Sequence, residues 1–243
     1  MSIESSVNKA ELEKFRKISS QWWKDGGEFK MLHQINPIRF EYILEKMTNH
    51  FNISNDKLSI LDVGCGGGLI TSRLCEFSNQ VTGIDAIQEN IDVAVQYASE
   101  HNLDIIYHKS TIEEFVASSI KQYDVVLCLE VIEHVDNLSG FIKNLTSLVK
   151  PNGIVIISTI NRTVKAYLLA IIMAEYVLNW VPKKTHDYSK FLKPSEISLM
   201  FKENNMELKE LKGLTYNIAN NSWELSNDID VNYFAYLTKM QID

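Results

Sequence analysis

Cysteine, proline and unbroken apolar runs are all scarce in this chain. Its three cysteines, Cys65, Cys75 and Cys128, are an odd number without the paired spacing of a metal site. They sit in apolar or glycine-rich segments. A disulfide scaffold is thereby excluded, and the thiols read as the reduced cysteines of a cytosolic protein. A chain of 243 residues, 45% of them apolar, can bury a stable core without such staples. Positive charge is also in deficit, with 24 Lys and Arg against 31 Asp and Glu, a net −7. Bulk electrostatics therefore argue against nucleic acid as a partner. The longest run free of strongly polar side chains, Ala166 to Ala174, falls well short of the ~20 residues that span a bilayer. Met1-Ser-Ile-Glu-Ser-Ser is neither a secretory signal nor an Arg-rich transit sequence. Repeats, low-complexity tracts and dividing linkers are absent as well. The expectation is a single domain, 1–243, with an N-terminal helical extension (1–57) and an insertion (161–193).

The apolar pattern gives the architecture. Leu12, Phe15, Ile18 and Trp22 recur at helical spacing, so 9–23 is expected as an amphipathic helix. Pro37 suits the first turn of a second helix over 37–50. From Leu58 onward strands and helices alternate. "LSILDV", "QVTGID", "DIIYHK", "YDVVLCL" and "GIVIIST" read as strands. The helices between them are expected at 69–77, 88–100, 112–120 and from Leu138 to Val149. Pro151-Asn152-Gly153 stops the last of these. Repeated β–α units imply a parallel sheet with helices on both faces. A helix after Pro194 and two strands near 206–214 and 232–239 complete the chain, the last as an antiparallel partner.

"LDVGCGGG" (Leu61–Gly68) places four glycines in five positions after the first strand. The dinucleotide fingerprint G-x-G-x-x-G lacks its third glycine here, because Leu69 follows Gly68. No Lys-Ser/Thr pair follows, which excludes a triphosphate loop. Asp62, two residues before Gly64, is a poor neighbour for a pyrophosphate and a good one for a cation. S-adenosylmethionine carries a ribose, no phosphate and two positive centres, so it fits better than NAD. Asp85 ends the second strand about 20 residues on, where an acid accepts ribose hydroxyls in either case. Gly64, Gly66, Asp62 and Asp85 are the cofactor candidates.

"LEVIEHV" puts Glu130, Glu133 and His134 just past the fourth strand, at the edge where open parallel sheets bind ligands. A helical turn would bring positions i, i+3 and i+4 to one face. Two carboxylates and an imidazole could then hold Mg²⁺ or another divalent cation. His134 alone could instead serve as a general base for a phenol. A helix cap with a packed histidine is the structural alternative.

The insertion is apolar with basic flanks. Between Asn161 and Lys193 there are Arg162, Lys165, Lys183, Lys184, Lys190 and Lys193 against Glu175 and Asp187. With Tyr167 and Trp180 near its ends, it could lie in an anionic membrane interface or act as a lid over the site.

"WWKDGGEFKMLHQINPIRFEYI", "LDVGCGGG", "VTGID", "EVIEHV", "STINR" and "VPKKTHDYSKFLKPSE" resemble, in the same order, the ubiquinone-biosynthesis O-methyltransferases. The likeness runs from about Glu13 to Thr238. It implies a Rossmann-like class I methyltransferase with a seven-stranded, mostly parallel sheet. It also implies methyl transfer from S-adenosylmethionine to phenolic hydroxyls of polyprenyl catechol intermediates, 2-polyprenyl-6-hydroxyphenol and 3-demethylubiquinol. By that resemblance Arg39, Gly64, Asp85 and Leu129 take S-adenosylmethionine, with Arg39 near its methionine carboxylate and Leu129 bordering the adenosine. Glu130, Glu133 and His134 match the positions thought to hold a divalent cation in eukaryotic relatives. The lack of a transit sequence points to a bacterial form, cytoplasmic and peripheral at the inner membrane. Other ubiquinone-biosynthesis proteins are candidate partners. A methyltransferase for another small phenol, an NAD-dependent oxidoreductase and a non-enzymatic scaffold are the alternatives.

Overall fold

The β-branched runs of the middle of the chain pair edge to edge as parallel strands. The computed structural model describes residues 6–51, 58–78, 80–118, 120–169, 171, 187–217 and 219–240. Its strands are β1 (Ser59–Val63), β2 (Gln80–Asp85), β3 (Ile105–Lys109), β4 (Tyr123–Leu129), β5 (Val149–Ile160), β6 (Met206–Asn217), β7 (Ser222–Ser226) and β8 (Asn232–Lys239). They form one sheet in the order β3-β2-β1-β4-β5-β8-β6-β7. β1 to β5 are mutually parallel, and β8 runs antiparallel between β5 and β6. This is the Rossmann-like arrangement expected, with eight strands among the described residues instead of seven.

The additional strand is β7, which closes a hairpin on β6 through Gly213↔Ser226 to Asn217↔Ser222. "SWELS" is short, polar at both ends and carries no strong β signal of its own. Pairing with β6 supplies what its composition lacks.

The helices are α1 (Lys9–Ile18), α2 (Lys30–His50), α3 (Thr71–Leu74), α4 (Gln88–Glu100), α5 (Ile112–Ser118), α6 (Leu138–Ser147), α7 (Val164–Ala166) and α8 (Pro194–Lys202). Three differ from expectation. α1 ends at Ile18 and passes into a 3-10 turn, Ser19–Gln21. α2 begins seven residues before Pro37 and keeps that proline in its interior. An interior proline forfeits one backbone hydrogen bond. Burial of Ile35, Phe40, Tyr42, Ile43 and Met47 on the same helix outweighs that loss. The expected helix 69–77 contracts to the single turn of α3. The expected stop at Pro151-Asn152-Gly153 lies inside β5, where the register with β4 slips between Tyr123 and Val125 and Asn152 takes φ +61°.

Alternate residues of the central strands feed two apolar layers. Leu61, Val126 and Val155 pack with Ile142 and Leu145 of α6 and Ile197 and Phe201 of α8. Ile60, Leu127 and Ile156 pack with Ile43 and Met47 of α2. With both faces covered, the strands read as continuous apolar runs. The strand order turns back between β1 and β4, and the crevice above that point is where an open α/β sheet takes its ligand.

Candidate active site

A cavity of about 780 Å³ opens at the carboxyl ends of β1, β2 and β4. Arg39, Gly64, Gly66, Asp85, Leu129, Glu130, Glu133 and His134 all line it. Four separate stretches of the chain thus converge on one chamber, roofed by α1 and Trp22.

The glycine loop is fixed from below and crowded from above. The amides of Gly64 and Cys65 donate to the Ile84 carbonyl at 2.8 and 3.0 Å. Gly64 has φ +74°, and a Cβ there would sit 2.3 Å from Cγ2 of Val131. Gly66 has φ +54°, and its Cβ would sit 2.3 Å from Cζ2 of Trp22. Left-handed backbone costs a non-glycine residue about 1–2 kcal/mol, and the overlaps add to it. Both glycines are therefore set by neighbouring side chains as well as by any ligand.

Asp85 is buried and held by three donors. Gly66 N reaches its Oδ2 at 3.0 Å, while Ile87 N and Asn90 Nδ2 reach its Oδ1 at 2.8 and 3.2 Å. Burial pushes this carboxyl up, and the two amides and Asn90 oppose that rise.

Asp62 does not join the others. It is absent from the cavity wall, and its Oδ2 accepts from Thr71 Oγ1 at 2.6 Å. A carboxylate aimed at a cation was expected here. Because side chains alternate along a strand, Asp62 turns beneath the glycine loop toward α3 instead. Burial pushes its carboxyl up to about 6. The folded protein therefore retains this proton to higher pH than the unfolded chain. The associated stability is complete below about pH 4 and is lost as pH rises through about 6. Asp62→Asn cannot ionise yet still accepts from Thr71. It should raise stability at pH 7.5 by up to about 3 kcal/mol, at about 1.4 kcal/mol per pH unit, and flatten the dependence between pH 4 and 6. Denaturant unfolding at the two ends of that range measures it. Equal stabilities of the two proteins at pH 7.5 would contradict the assignment.

The acidic cluster is dispersed. Glu130 takes φ +54° and accepts from Arg39 Nη2 at 2.7 Å and Ser158 Oγ at 2.8 Å. Glu133 accepts from Thr159 Oγ1 at 3.0 Å. His134 Nδ1 lies 3.1 Å from Glu11 Oε2 of α1. The segment is a 3-10 turn, Ile132–His134, with Glu130 outside it, so the one-faced α-helical spacing does not arise. Each group has its own partner, and among the described residues no three His, Cys, Asp or Glu side chains gather as a metal site. The expected divalent site at Glu130, Glu133 and His134 does not fit this arrangement.

The electrostatics follow those partners. Arg39 is 5% exposed. Burial pulls its guanidinium down, while Glu130 and then Glu133 hold it up. Its Nε is buried without a hydrogen-bond partner. Burial, then the charge of Glu130, pushes Glu133 well above the ordinary carboxylate range. Glu11 is drawn down to about 2 by its hydrogen bond with His134 and then by Lys14, against burial.

Several wall residues carried no signal in the sequence. Glu11 and Asn90 are ordinary helix residues by spacing, and Trp22 reads only as a packing aromatic. Long-range placement gives each its position. The insertion is described only at its ends, so Trp180, Lys183 and Lys184 lie outside the described residues. At its start Val164 and Leu168 are exposed, and Lys165 pairs with Asp228 and Asp230. Among the described residues no helix is long and apolar enough to cross a membrane.

Comparison with known proteins adds three findings. A family model described as a methyltransferase domain matches residues 33–211. The ubiquinone biosynthesis O-methyltransferase of Rickettsia bellii is 63% identical over 236 residues, covering 97% of each chain. That of Rickettsia felis is 62% identical over 233 residues, covering 96% of this chain and 94% of its own. Among solved structures, the magnesium protoporphyrin IX methyltransferase of Synechocystis with bound SAH superposes with a TM-score of 0.65. It is 19% identical, and the match covers 96% of this chain and 95% of that one. The N-methyltransferase NodS of Bradyrhizobium japonicum superposes with a TM-score of 0.60 at 14% identity, over 95% and 99% of the two chains. At such identities the structural likeness speaks for the fold alone.

Proposed function

This chain belongs to the ubiquinone biosynthesis O-methyltransferases, and we propose on that footing how its cavity performs the reaction. It is an S-adenosylmethionine-dependent O-methyltransferase acting in ubiquinone biosynthesis. The observation that carries this is identity above 60% along nearly the whole chain with relatives of that name. An NAD-dependent oxidoreductase is set aside by the same membership.

S-adenosylmethionine supplies, when bound, a methyl group on a positively charged sulfur. The residues of this chain receive the rest of the molecule. Asp85, at the end of β2, takes the ribose hydroxyls. Arg39, on the cavity wall and paired with Glu130, takes the methionine carboxylate. Gly64 and Gly66 let the loop turn at the cavity wall close against Val131 and Trp22, where the loop meets the ligand, and Leu129 borders the adenosine through its main chain. Asp62 supports the loop through Thr71 and makes no direct contact. His134 accepts the proton of the phenol. Glu133, favoured in its protonated form by burial, and Glu130, paired with Arg39, shape the floor beneath it. Holding hydroxyl, methyl carbon and sulfur in line accounts for most of the rate, since orientation alone can contribute about 7–11 kcal/mol.

The acceptors are catechol intermediates bearing a polyprenyl tail, 2-polyprenyl-6-hydroxyphenol and 3-demethylubiquinol. Each CH₂ drawn out of lipid costs about 0.8 kcal/mol, so an enzyme that docks at the bilayer reaches the ring most easily. Exposed Val164 and Leu168 and the basic flanks of the insertion support a peripheral position on the cytoplasmic membrane face, with other proteins of the pathway as neighbours. Flotation with anionic liposomes at low salt should carry the protein upward, and Lys183→Glu with Lys184→Glu should reduce that fraction several-fold. Protein that stays at the bottom of the gradient in both forms would remove the membrane reading. Methylation of a short-chain catechol analogue tests the reaction itself. An inert protein would favour the scaffold alternative, and turnover of simple phenols with no preference for catechols would favour the small-phenol one.

A further inference from the structure

The N-terminal segment does more than pack. The Trp22 indole lies flat against the glycine loop. A Cβ on Gly66 would meet its six-membered ring at 2.3 Å, and one on Gly67 would meet its Cγ at 2.4 Å. The ring is stacked on Phe29 with centroids 3.7 Å apart and planes 6° from parallel. Trp23 adds a second tie, donating from Nε1 to the Gly67 carbonyl at 2.8 Å. The roof thus covers the cavity on the side of the glycine loop.

Among the ties that hold the roof, alongside Trp23–Gly67, His33 with the Trp22 carbonyl and Arg16–Glu89, one buried side chain also reaches the site. Asn90, on α4, is 2% exposed. Its Oδ1 accepts from Ser19 Oγ at 2.7 Å and from Trp22 Nε1 at 2.8 Å. Its Nδ2 donates to Asp85 Oδ1 at 3.2 Å. One amide therefore reads the roof with its oxygen and the ribose acid with its nitrogen. Trp22, Asp85 and Asn90 all line the same cavity.

We propose that Asn90 is a positioning residue that couples closure of the Ser19–Trp22 roof to cofactor retention through Asp85. This rests on the methyltransferase reading, in which Asp85 holds the ribose. With the roof closed, Asn90 fixes the Asp85 carboxylate in the orientation that accepts the hydroxyls. With the roof open, the amide has lost both its donors and is free to rotate away. Cofactor exchange then requires breaking the two bonds to Asn90, and a bound cofactor favours their formation. Binding and closure strengthen each other, as any linked pair of equilibria must.

The two ends of Asn90 can be tested separately. Asn90→Asp keeps an acceptor for Ser19 and Trp22 but removes the donor to Asp85. Asn90→Ala removes both, and Trp22→Phe keeps the ring cover but loses the Nε1 donor. Three readouts apply to the full chain: release of labelled S-adenosylmethionine by chase, hydrogen exchange across residues 8–23, and the KM values for cofactor and catechol. Release from Asn90→Ala and Trp22→Phe should quicken about tenfold, as loss of one or two net hydrogen bonds implies. Exchange in 8–23 should rise, and the cofactor KM should climb while the catechol KM stays within about twofold. Asn90→Asp should weaken the cofactor as much with the roof still protected, a split that general loosening would not produce. Wild-type release rates in both Asn90→Ala and Trp22→Phe would overturn the proposal and leave the methyltransferase reading intact. Wild-type protein that binds neither S-adenosylmethionine nor its demethylated product would overturn both.

Discussion

Asp85→Ala should weaken the binding of S-adenosylhomocysteine by about 100-fold or more and remove methyl transfer at ordinary cofactor concentrations. Hydrogen bonds to an ionised acceptor contribute about 1.5–3 kcal/mol each. A carboxylate receiving both ribose hydroxyls loses two of them on truncation, and about 1.4 kcal/mol is a factor of ten. The site is already organised for that task. The carboxylate is buried and oriented by Gly66 N, Ile87 N and Asn90 Nδ2, so the ligand does not bear the cost of ordering it. Asp85→Asn keeps an oxygen for one hydroxyl and should fall between wild type and Asp85→Ala. Calorimetric titration gives the affinities, and circular dichroism checks that the sheet survives. An affinity for Asp85→Ala within about threefold of wild type would mean that the ribose does not sit here.

His134→Ala should leave that affinity nearly unchanged and lower turnover by about 10²–10⁴-fold, the usual range for a positioned base. His134 lies on the cavity wall with Nδ1 near Glu11 Oε2, so as a general base it would use Nε2. An imidazolium formed there would face Glu11. Single-turnover kinetics separate this loss from slow product release. The dispersal of Glu130, Glu133 and His134 onto separate partners predicts that turnover survives a chelator. Activity lost to chelation and restored by Mg²⁺ would show that these groups regather around an ion. Turnover of His134→Ala within about tenfold of wild type would move the base elsewhere.

Much of this was legible in the order of residues. The strands β2 and β4 and the helix α4 fall where their apolar spacing places them, because each is bounded by turn residues and buried on a regular face. Glycine positions and the carboxylate ending β2 marked the crevice for the same reason. The failures have a common cause. β7 and the early start of α2 depend on partners distant in sequence, which local propensity does not register. Asp62 has the right residue type beside the right loop, and only the alternation of β1 turns it toward Thr71. Glu130, Glu133 and His134 are spaced for one helical face, but the backbone takes a left-handed step and a 3-10 turn there. Asn90 and Glu11 had no signal, since a polar residue inside an amphipathic helix looks like a solvated one until α1 lies across it.

The place of β8 in the sheet has a consequence for assembly. β6 and β7 join the parallel half only through β8, which pairs with β5 on one side and β6 on the other. Leu214, Tyr216 and Trp223, on β6 and β7, form part of the chamber wall. Non-local pairing of this kind is slow to form and defines a unit able to open on its own. Were β6 and β7 to loosen at β8, the chamber would lose that wall while the crevice at β1, β2 and β4 still stands.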